Sequence, residues 1–596
     1  MYAVSQSYKT ESRQIIRNPS YMRITYSVIE PDADDLATPV DNGHMYYSDI
    51  EDAVLNTPKS VTPTATLEHN RWYLDGSQTI IPDDEPYGYV GYIGDALSGS
   101  DCVYTTPPII SIAFGDYFAF AGLTIDFDTV VNDYPSEIRI DGYNNGDNIY
   151  TKIFYPDKSE WVCTDRIPSE PGTYVNRLDI TYVESNKPYR RARLEQLIFG
   201  VLYKFENRSL ASASWNRKIS PIAAELPTEN FAWDVIDIEK HFDPENAEGI
   251  YAYLESRQDV SIDIGYQLND GSIEWMPLGK MYSTSSFSTD GSLNIASFEA
   301  NSTLLSLTQT YSEGVYNPSG TTLYDAAKAM LDYSWQVAPK YVLSERLKNY
   351  RTKAPMPVDL VRNNLQLIAN AGMCQLYTDR DGVIHIEEAS TELQDFRLTF
   401  DDVLESPKID KIPVLYSVTT KYRDITVSSE VTELLNTEVS YDTDTVVELS
   451  YDESTAQTLT PGSGVTITGP VEYYASMCRC TMRGTGSVVV TGKTLEDNEN
   501  IVAQIYNNKG EDCPIENPLI TSRAWALAYC DWIAAYEKRR NQYSVPDRGY
   551  PEIDMGDVIS VDTSFTEALT VTVVSHNINF SGAISGTSEY LIGGDE

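Results

Sequence analysis

The chain has 596 residues, with 88 acidic side chains against 44 basic ones and a formal net charge of −44. Such a field repels a phosphate backbone at long range and argues against free nucleic acid as the main ligand. Hydrophobic and aromatic fractions of 41% and 11% exclude wholesale disorder, and the length suits about three to five domains, each with its own core.

Residues 1–55 read as an N-terminal arm, a polar leader with one strand candidate, "YMRITYSVI", followed by the acidic loop "EPDADDLATPVDNG". The opening "MYAVSQSYKTESRQIIR" lacks the apolar region of a signal peptide. The longest apolar stretch, "IISIAFGDYFAFAGLTIDF", is broken by Asp116 and two glycines and predicts two buried strands rather than a membrane span.

Residues 56–205 show short strands separated by turn residues. "FAGLTIDFD" ends in "NDYPSE", "IRIDGY" in "NNGDN", and "IYTKIFY" in "PDKSE". That spacing predicts a β-sandwich. Its last strand lies in "NKPYRRARLEQLIFG", which concentrates Lys187, Arg190, Arg191 and Arg193 against one acid, Glu195. Alternation points Ala192 and Leu194 inward and Arg191, Arg193 and Glu195 to solvent. The basic cluster then reads most simply as a wet strand face, with a docking patch as the sharper alternative. Trp72, Tyr73, Tyr89 and Tyr92 are candidates for stacking on sugar rings, weighed against core packing.

"TLEHNRWYLDGS", "LTIDFDTVVNDYPSEIRIDGY" and the "NKPYRRARLEQLIFG" close resemble the galactose-binding-type jelly roll of structural proteins from phages of Gram-positive bacteria. The resemblance implies a carbohydrate-binding-like module or a packing spacer.

Residues 206–310 alternate apolar and polar side chains in "FAWDVIDIE", "DVSIDIGYQL" and "SLNIASFEA", with "NDG" as a hairpin turn. One antiparallel barrel fits, with Gly265 and Gly279 expected at strand ends where it bends. Residues 311–405 read as an α/β insertion. Its helices are "TTLYDAAKAMLDYSW" and "PVDLVRNNLQLIANAG", the second with an apolar face of Leu360, Val361, Leu365, Ile368 and Ala369. A hairpin turning at Asp379 to Gly382 follows. Residues 406–596 return to strands, forming a second barrel interrupted by one long helix, Pro518 to Val545. That helix is apolar at Trp525, Ala526, Ala528, Trp532, Ile533 and Tyr536 and cationic in its last turn.

Together, "AAELPTENFAWDVIDIEKHFDPENAEGIYAYLESRQDVSIDIGY", "PLGKMYSTSSFS", "PVDLVRNNLQLIANAGMCQLYTDRDGVIHI" and "YPEIDMGDVISVD" resemble the tail hub proteins of long-tailed phages. This implies a trimer capping a tail tube. Its partners would be the tail tube, distal tail and tape-measure proteins, and genomic DNA would pass through the lumen without specific binding. The place would be the virion tail tip or baseplate, assembled in the host cytoplasm. Val260 to Glu274, with Asp263, Asp270 and Glu274, is a candidate acidic lumen lining, or equally a solvated outer face.

No catalytic, cofactor or metal site is expected. The five histidines are scattered, and His385 and His576 are expected at strand surfaces or boundaries. The seven cysteines are odd in number and dispersed, as reduced thiols would be; "CRC" reads as two small buried residues. "GTGSVVVTG" mimics a phosphate loop but leads into a strand, so a hairpin turn is expected. The expected fold class is mainly β and multidomain: a jelly-roll sandwich, then two tube-like barrels with a helix-containing insertion. The expected function is a structural, non-enzymatic tail hub whose jelly roll serves either packing or contact with cell-surface glycan. The alternatives are a carbohydrate-binding adhesin and, behind it, a cell-wall glycan hydrolase.

Overall fold

The computed structural model describes residues 1–592 except 30–32, 34–35, 41–44, 49–60, 67, 70, 72–78, 81–88, 171–172, 207, 247–249, 291, 336–337, 406–407, 538–540 and 564–565. The fold is mainly β, with several sheets and several hydrophobic cores.

One thirteen-stranded sheet runs through the molecule. Its strands in chain order are β1 (Ser20–Ile29), β2 (Gly200–Glu206), β3 (Leu210–Lys218), β4 (Thr228–Ile236), β5 (Asp259–Gln267), β6 (Ile273–Asp290) and β7 (Ile295–Ser302). They continue as β8 (Leu393–Leu398), β9 (Lys408–Lys411), β10 (Asn541–Asp547), β11 (Val558–Val561), β12 (Leu569–Phe580) and β13 (Ile584–Ile592). The spatial order is β2-β1-β5-β6-β7-β4-β3-β12-β13-β10-β9, with β11 joining β12 to β8.

The two expected barrels are therefore halves of one sheet. The first half wraps a core of Met22, Ile24, Tyr26, Trp233 and Phe298 and their neighbours, with the Trp233 and Phe298 rings stacked 5.2 Å apart. The second wraps Phe396, Val545, Val573 and Tyr590. Strand β3 belongs to both, pairing with β4 on one side and β12 on the other. Gly265 lies near the end of β5, and a Cβ there would meet the Trp275 ring at 2.9 Å. Gly279 lies inside β6, beside a register shift opposite Ile262 and Asp263, so the strand bends at a bulge.

The N-terminal segment is not a free arm. β1 pairs with β2 over Arg23–Ile29 and with β5 over Ser20–Tyr26, and α1 (Gln6–Glu11) packs Tyr8 into the first-half core. The alternation Met22, Ile24, Tyr26, Val28 that predicted a strand supplies its buried face.

Both large excursions leave from hairpins of this sheet. Ile29 pairs with Gly200, and the described strands between them form a two-layer sandwich. A five-stranded sheet (Asp147–Phe154, Pro135–Asn144, Val175–Ser185, Ile109–Phe118, Ala37–Val40) faces two three-stranded ones, which include Leu123–Asp126 and Arg191–Leu194. Strands Ala37–Val40 and Met45–Ser48 place part of the expected arm in the sandwich, and Gly200–Glu206 returns to the large sheet. Replacing residues 30–199 by a two-residue Asn-Gly turn should leave the large sheet folded, because β1 and β2 are already antiparallel neighbours at that point. Circular dichroism and thermal unfolding of the shortened chain check this; a chain that no longer folds would mean the sandwich holds the sheet together.

Likewise Lys411 pairs with Asn541, and the second excursion lies between them. It contains a seven-stranded sheet built on Met477–Ile505, a strand of 29 residues. "GTGSVVVTG" lies inside that strand and is not a turn. Gly484 and Gly486 have φ of 106° and 159°, and a Cβ on either would strike the backbone of residues 463–464, so glycine permits a close crossing there. Cys478 and Cys480 are buried in this unit's core, as small apolar residues would be.

Helices α2 (Leu323–Ser334) and α3 (Val361–Ala371) and a mixed three-stranded sheet form the α/β unit. Thr322 caps α2 by accepting from the Asp325 amide, and Gly372 ends α3. Leu360 precedes α3 rather than joining its face. The long helix, α4 (Arg523–Glu537), stops well before Val545, because Asn541–Asp547 is strand β10; the cationic last turn expected for it falls on 538–540, outside the described residues. It buries Trp525, Ala526, Tyr529, Cys530, Ile533 and Ala534 against α3 and the strands Leu415–Val427 and Met477–Ile505, while Ala528 is exposed. It thus belongs to the α/β core rather than to the second half of the sheet.

Candidate functional site

The basic strand is an internal charged lattice, not a wet face. Arg190 and Arg193 are buried, as is Glu195. Arg193 contacts Glu68 at 2.6 Å and Asp128 at 3.3 Å, and Arg71 contacts Asp128 at 2.6 Å. Lys187 and Arg190 both pair with Asp133, and Arg191 lies over the Tyr46 ring at 4.2 Å. Alternation predicted one solvent face, but Thr64, Thr66 and Glu68 lie across it. Burial pushes the Glu68 carboxyl up, and Arg193, with bonds from the Arg191 amide and Thr66, brings it below its ordinary value. At Glu195 burial wins, pushing its carboxyl up to about 7 despite bonds from Thr129 and a weaker pull from Arg193. Arg190 and Arg193 are thus engaged inside the sandwich, while Lys187, 43% exposed, and the half-buried Arg191 keep surface.

The sugar-stacking candidates fare similarly. Tyr92 is wholly buried in the sandwich core. Tyr89 packs against that core, and its hydroxyl donates to the Glu195 carbonyl. Trp72 and Tyr73 lie outside the described residues.

The most developed polar site is one that sequence reasoning missed. A cleft of about 720 Å³ opens where the seam of the large sheet, the chain start and the α/β hairpin meet. At the seam Glu229, Arg217 and His576 stand in register across β4, β3 and β12. Arg217 contacts Asp554 at 3.1 Å and covers the Trp215 ring. Arg380, from the hairpin turn, reaches the same carboxylate at 2.6 Å and donates to the carbonyls of Pro277 and Pro551. Met1 contributes its amino group to Asp557 at 2.8 Å.

Burial would raise the Asp554 carboxyl, but Arg380 and then Arg217 hold it below its usual value. Glu229 keeps some surface toward the cleft, yet burial pushes it up to about 8. His385 sits between Asp379 and Glu387, 2.9 Å from each, and stacks on Tyr377 at 4.8 Å. Burial opposes its charge, but bonds to Asp379 and Glu387 raise it above the ordinary histidine value. The cleft therefore cross-links three units by ion pairs. Its signal in the sequence was faint: isolated Arg217, Arg380 and Asp554, far apart along the chain.

His576 is not at a surface or boundary but fully buried, facing Ser588 at 2.8 Å and the Tyr550 carbonyl at 3.1 Å. The Ser588 hydroxyl oxygen also lies 2.6 Å from an Asp547 carboxylate oxygen. The residue types match a catalytic triad, but the serine stands in the middle and all three are sealed from solvent, which rules out nucleophilic attack on a substrate. Burial, aided by Arg217, lowers the His576 ring to about 3. A depressed folded value means the unfolded chain binds the extra proton, so this stability is complete above about pH 6.5 and lost as pH falls toward 3. We expect unfolding free energy to drop by about 1.4 kcal/mol per pH unit from this group between pH 6 and 4. Denaturant titrations of wild type and His576→Gln should show the slope reduced in the variant; equal slopes would refute it.

Of the acidic residues expected along a lumen, Asp263 pairs with Arg23 at 2.8 Å, Glu274 accepts from the Ser5 amide at 2.8 Å, and Asp270 accepts from Ser272 within its own turn. Among the described residues no group of three or more His, Cys, Asp or Glu side chains could hold a metal ion, all seven cysteines are unbridged, and no helix is long and apolar enough to cross a membrane.

No family model matches the chain, and no curated protein matches it. Among solved structures it is similar to the 43 kDa tail protein of prophage MuSo2 from Shewanella oneidensis, at 10% identity and TM-score 0.38, over 66% of this chain and 96% of that one. It is also similar to prophage tail protein gp18 from Listeria monocytogenes, at 8% identity and TM-score 0.34, over 65% and 91%. A third is the E. coli c3393 protein, a type VI secretion component described as similar to T4 tail proteins gp27 and gp5. It shows 9% identity and TM-score 0.31, over 64% and 73%. With TM-scores below 0.5, these likenesses carry no argument about function.

Proposed function

We propose that the chain is a structural hub of a phage tail tip or baseplate, joining the tail tube to the host-facing apparatus. The observation that supports this best is the frame itself. One continuous sheet has two halves with separate cores, and hairpins of that sheet carry the sandwich and the long-stranded unit outward. Such a frame suits a ring wall with appendages. The motifs resembling tail hubs lie on its strands and on the α/β unit. In this reading the chain assembles with itself, as a homotrimer, and with tail-tube, distal-tail and tape-measure proteins. DNA passes through the ring without specific binding, and the place of action is the virion tail. The role is structural: the polar groups of the seam are spent on one another in ion pairs.

Glycan contact by the sandwich, as part of this proposal, has to use groups other than Tyr92. An open cleft of about 770 Å³ lined by Asn144, Thr151, Lys152 and the exposed Tyr174 suits a sugar better. The hub reading is tested by labelling particles made from the genome that encodes this chain with antibody against it. Decoration at one end of the tail is expected; label along the tail shaft, on the capsid or nowhere on intact and opened particles would refute it.

A further inference from the structure

Two exposed apolar surfaces on the large sheet's end and on the long-stranded unit have opposite electrostatic borders. The first is a knob. Ile15 and Ile16 are 91% and 86% exposed, beyond what chance placement of single apolar residues explains. The loop that carries them is fastened from both sides. Arg17 donates to the carbonyls of Ser12, Arg548 and Gly549, and Arg548 donates back to the Ile15 carbonyl at 3.1 Å. Arg13 donates to the Arg397 carbonyl at 2.6 Å, lies over the Phe396 ring and pairs with the buried Asp402 at 3.3 Å, which leaves Arg17 and Arg548, among the described residues, as the knob's unpaired cations. Exposed Leu404 stands beside this loop, its amide bonded to the Pro546 carbonyl. Among the described residues no carboxylate pairs with Arg17 or Arg548, so the knob has a cationic border in a chain of net charge −44.

The second surface is a flat sheet face. In Met477–Ile505, Val502, Gln504 and Tyr506 turn toward α4, with Gln504 and Tyr506 both bonded to Asp531. Alternation turns Ile501, Ala503 and Ile505 the other way, and the two isoleucines are 69% and 63% exposed. Glu511 and Asp512, both exposed, stand on the strand beside it, where Ser417 pairs with both Ile505 and Asp512; the cation on this face, Lys421 across from Ile501, is paired with exposed Glu516 at 3.2 Å.

We propose that the Ile15–Ile16 knob of one copy docks on the Ile501–Ile505 face of the next. The occupant is a second copy because the borders are complementary within one chain: arginines around the knob, carboxylates beside the face. Copies as acidic as this repel one another overall, so they meet only where local charge reverses that repulsion. Knob and face are different patches, so the contact is head-to-tail and can close a ring. The inference rests on the hub reading and names the surfaces of its self-assembly.

The test is light scattering on the full chain over a concentration series. Wild type should associate. Ile15→Glu/Ile16→Glu and Ile501→Glu/Ile505→Glu should each weaken association about 100-fold while leaving thermal unfolding unchanged, since all four side chains are exposed. Mixing the two variants should restore a pair, because one keeps a knob and the other a face. Val446→Glu, equally exposed elsewhere, should associate as wild type does. If wild type associates and both double variants do so equally well, the docking proposal falls and the hub reading stands. If wild type stays monomeric at every concentration, both fall. If the mixed variants fail to pair, the contact is not head-to-tail and the proposal is overturned.

Discussion

Arg193→Met should destabilise the sandwich by about 3–5 kcal/mol, because it leaves a buried carboxylate without its main cation. Glu68 is buried and touches Arg193 at 2.6 Å, whereas its other cation, Arg71, is 4.0 Å away. Asp128 would keep Arg71 at 2.6 Å, so the loss concentrates on Glu68. The variant is measured by hydrogen exchange of residues 64–71 and 123–128 and by denaturant unfolding of the full chain. Lys152→Met is the control. Lys152 pairs with Asp165 at 2.6 Å with both side chains nearly half exposed, so the cost should stay below about 1 kcal/mol. Equal effects for the two would mean that burial does not set the worth of these pairs.

Arg380→Ala should cost about 3–5 kcal/mol and loosen the junction of all three units. One guanidinium there bonds the Pro277 carbonyl at 2.8 Å, the Pro551 carbonyl at 2.6 Å and Asp554 at 2.6 Å, and faces the Tyr2 ring at 5.0 Å. Arg380→Lys keeps the charge but cannot reach three directions from one planar fork, so it should recover less than half of the loss. Hydrogen exchange should rise at residues 277–280 and 551–557 and stay unchanged at 432–494, which share no contact with the junction. A uniform rise across the chain would contradict the local role assigned to Arg380.

Much of the fold was legible because it rests on period-two alternation. "LTVTVVSHNINF" predicted a strand over the span that β12 occupies, and "NDG" sits in the turn between β5 and β6. The α/β hairpin turns at Asp379 to Gly382 as expected. What failed was long-range pairing, which alternation does not encode. Nothing local says that Ile29 pairs with Gly200 or Lys411 with Asn541, so an inserted unit reads as a consecutive domain. Exposure failed for a related reason. Arg193 and Glu195 alternate with Ala192 and Leu194, but Thr64, Thr66 and Glu68 cover Arg193, and charges buried as pairs look in sequence like charges on a surface. His576 was misplaced by the same effect, since β12 is covered on both faces. The seam cleft joins Arg217, Arg380 and Asp554 across three elements and left almost no local trace.

The central claim is that the large sheet forms the wall of a ring. Electron microscopy of the purified full chain, at concentrations where light scattering shows association, tests it most directly. The account predicts closed particles with a central lumen, the sandwiches projecting outward, and the same ring in the chain shortened between residues 30 and 199. Compact single copies, or open filaments without a lumen, would contradict it.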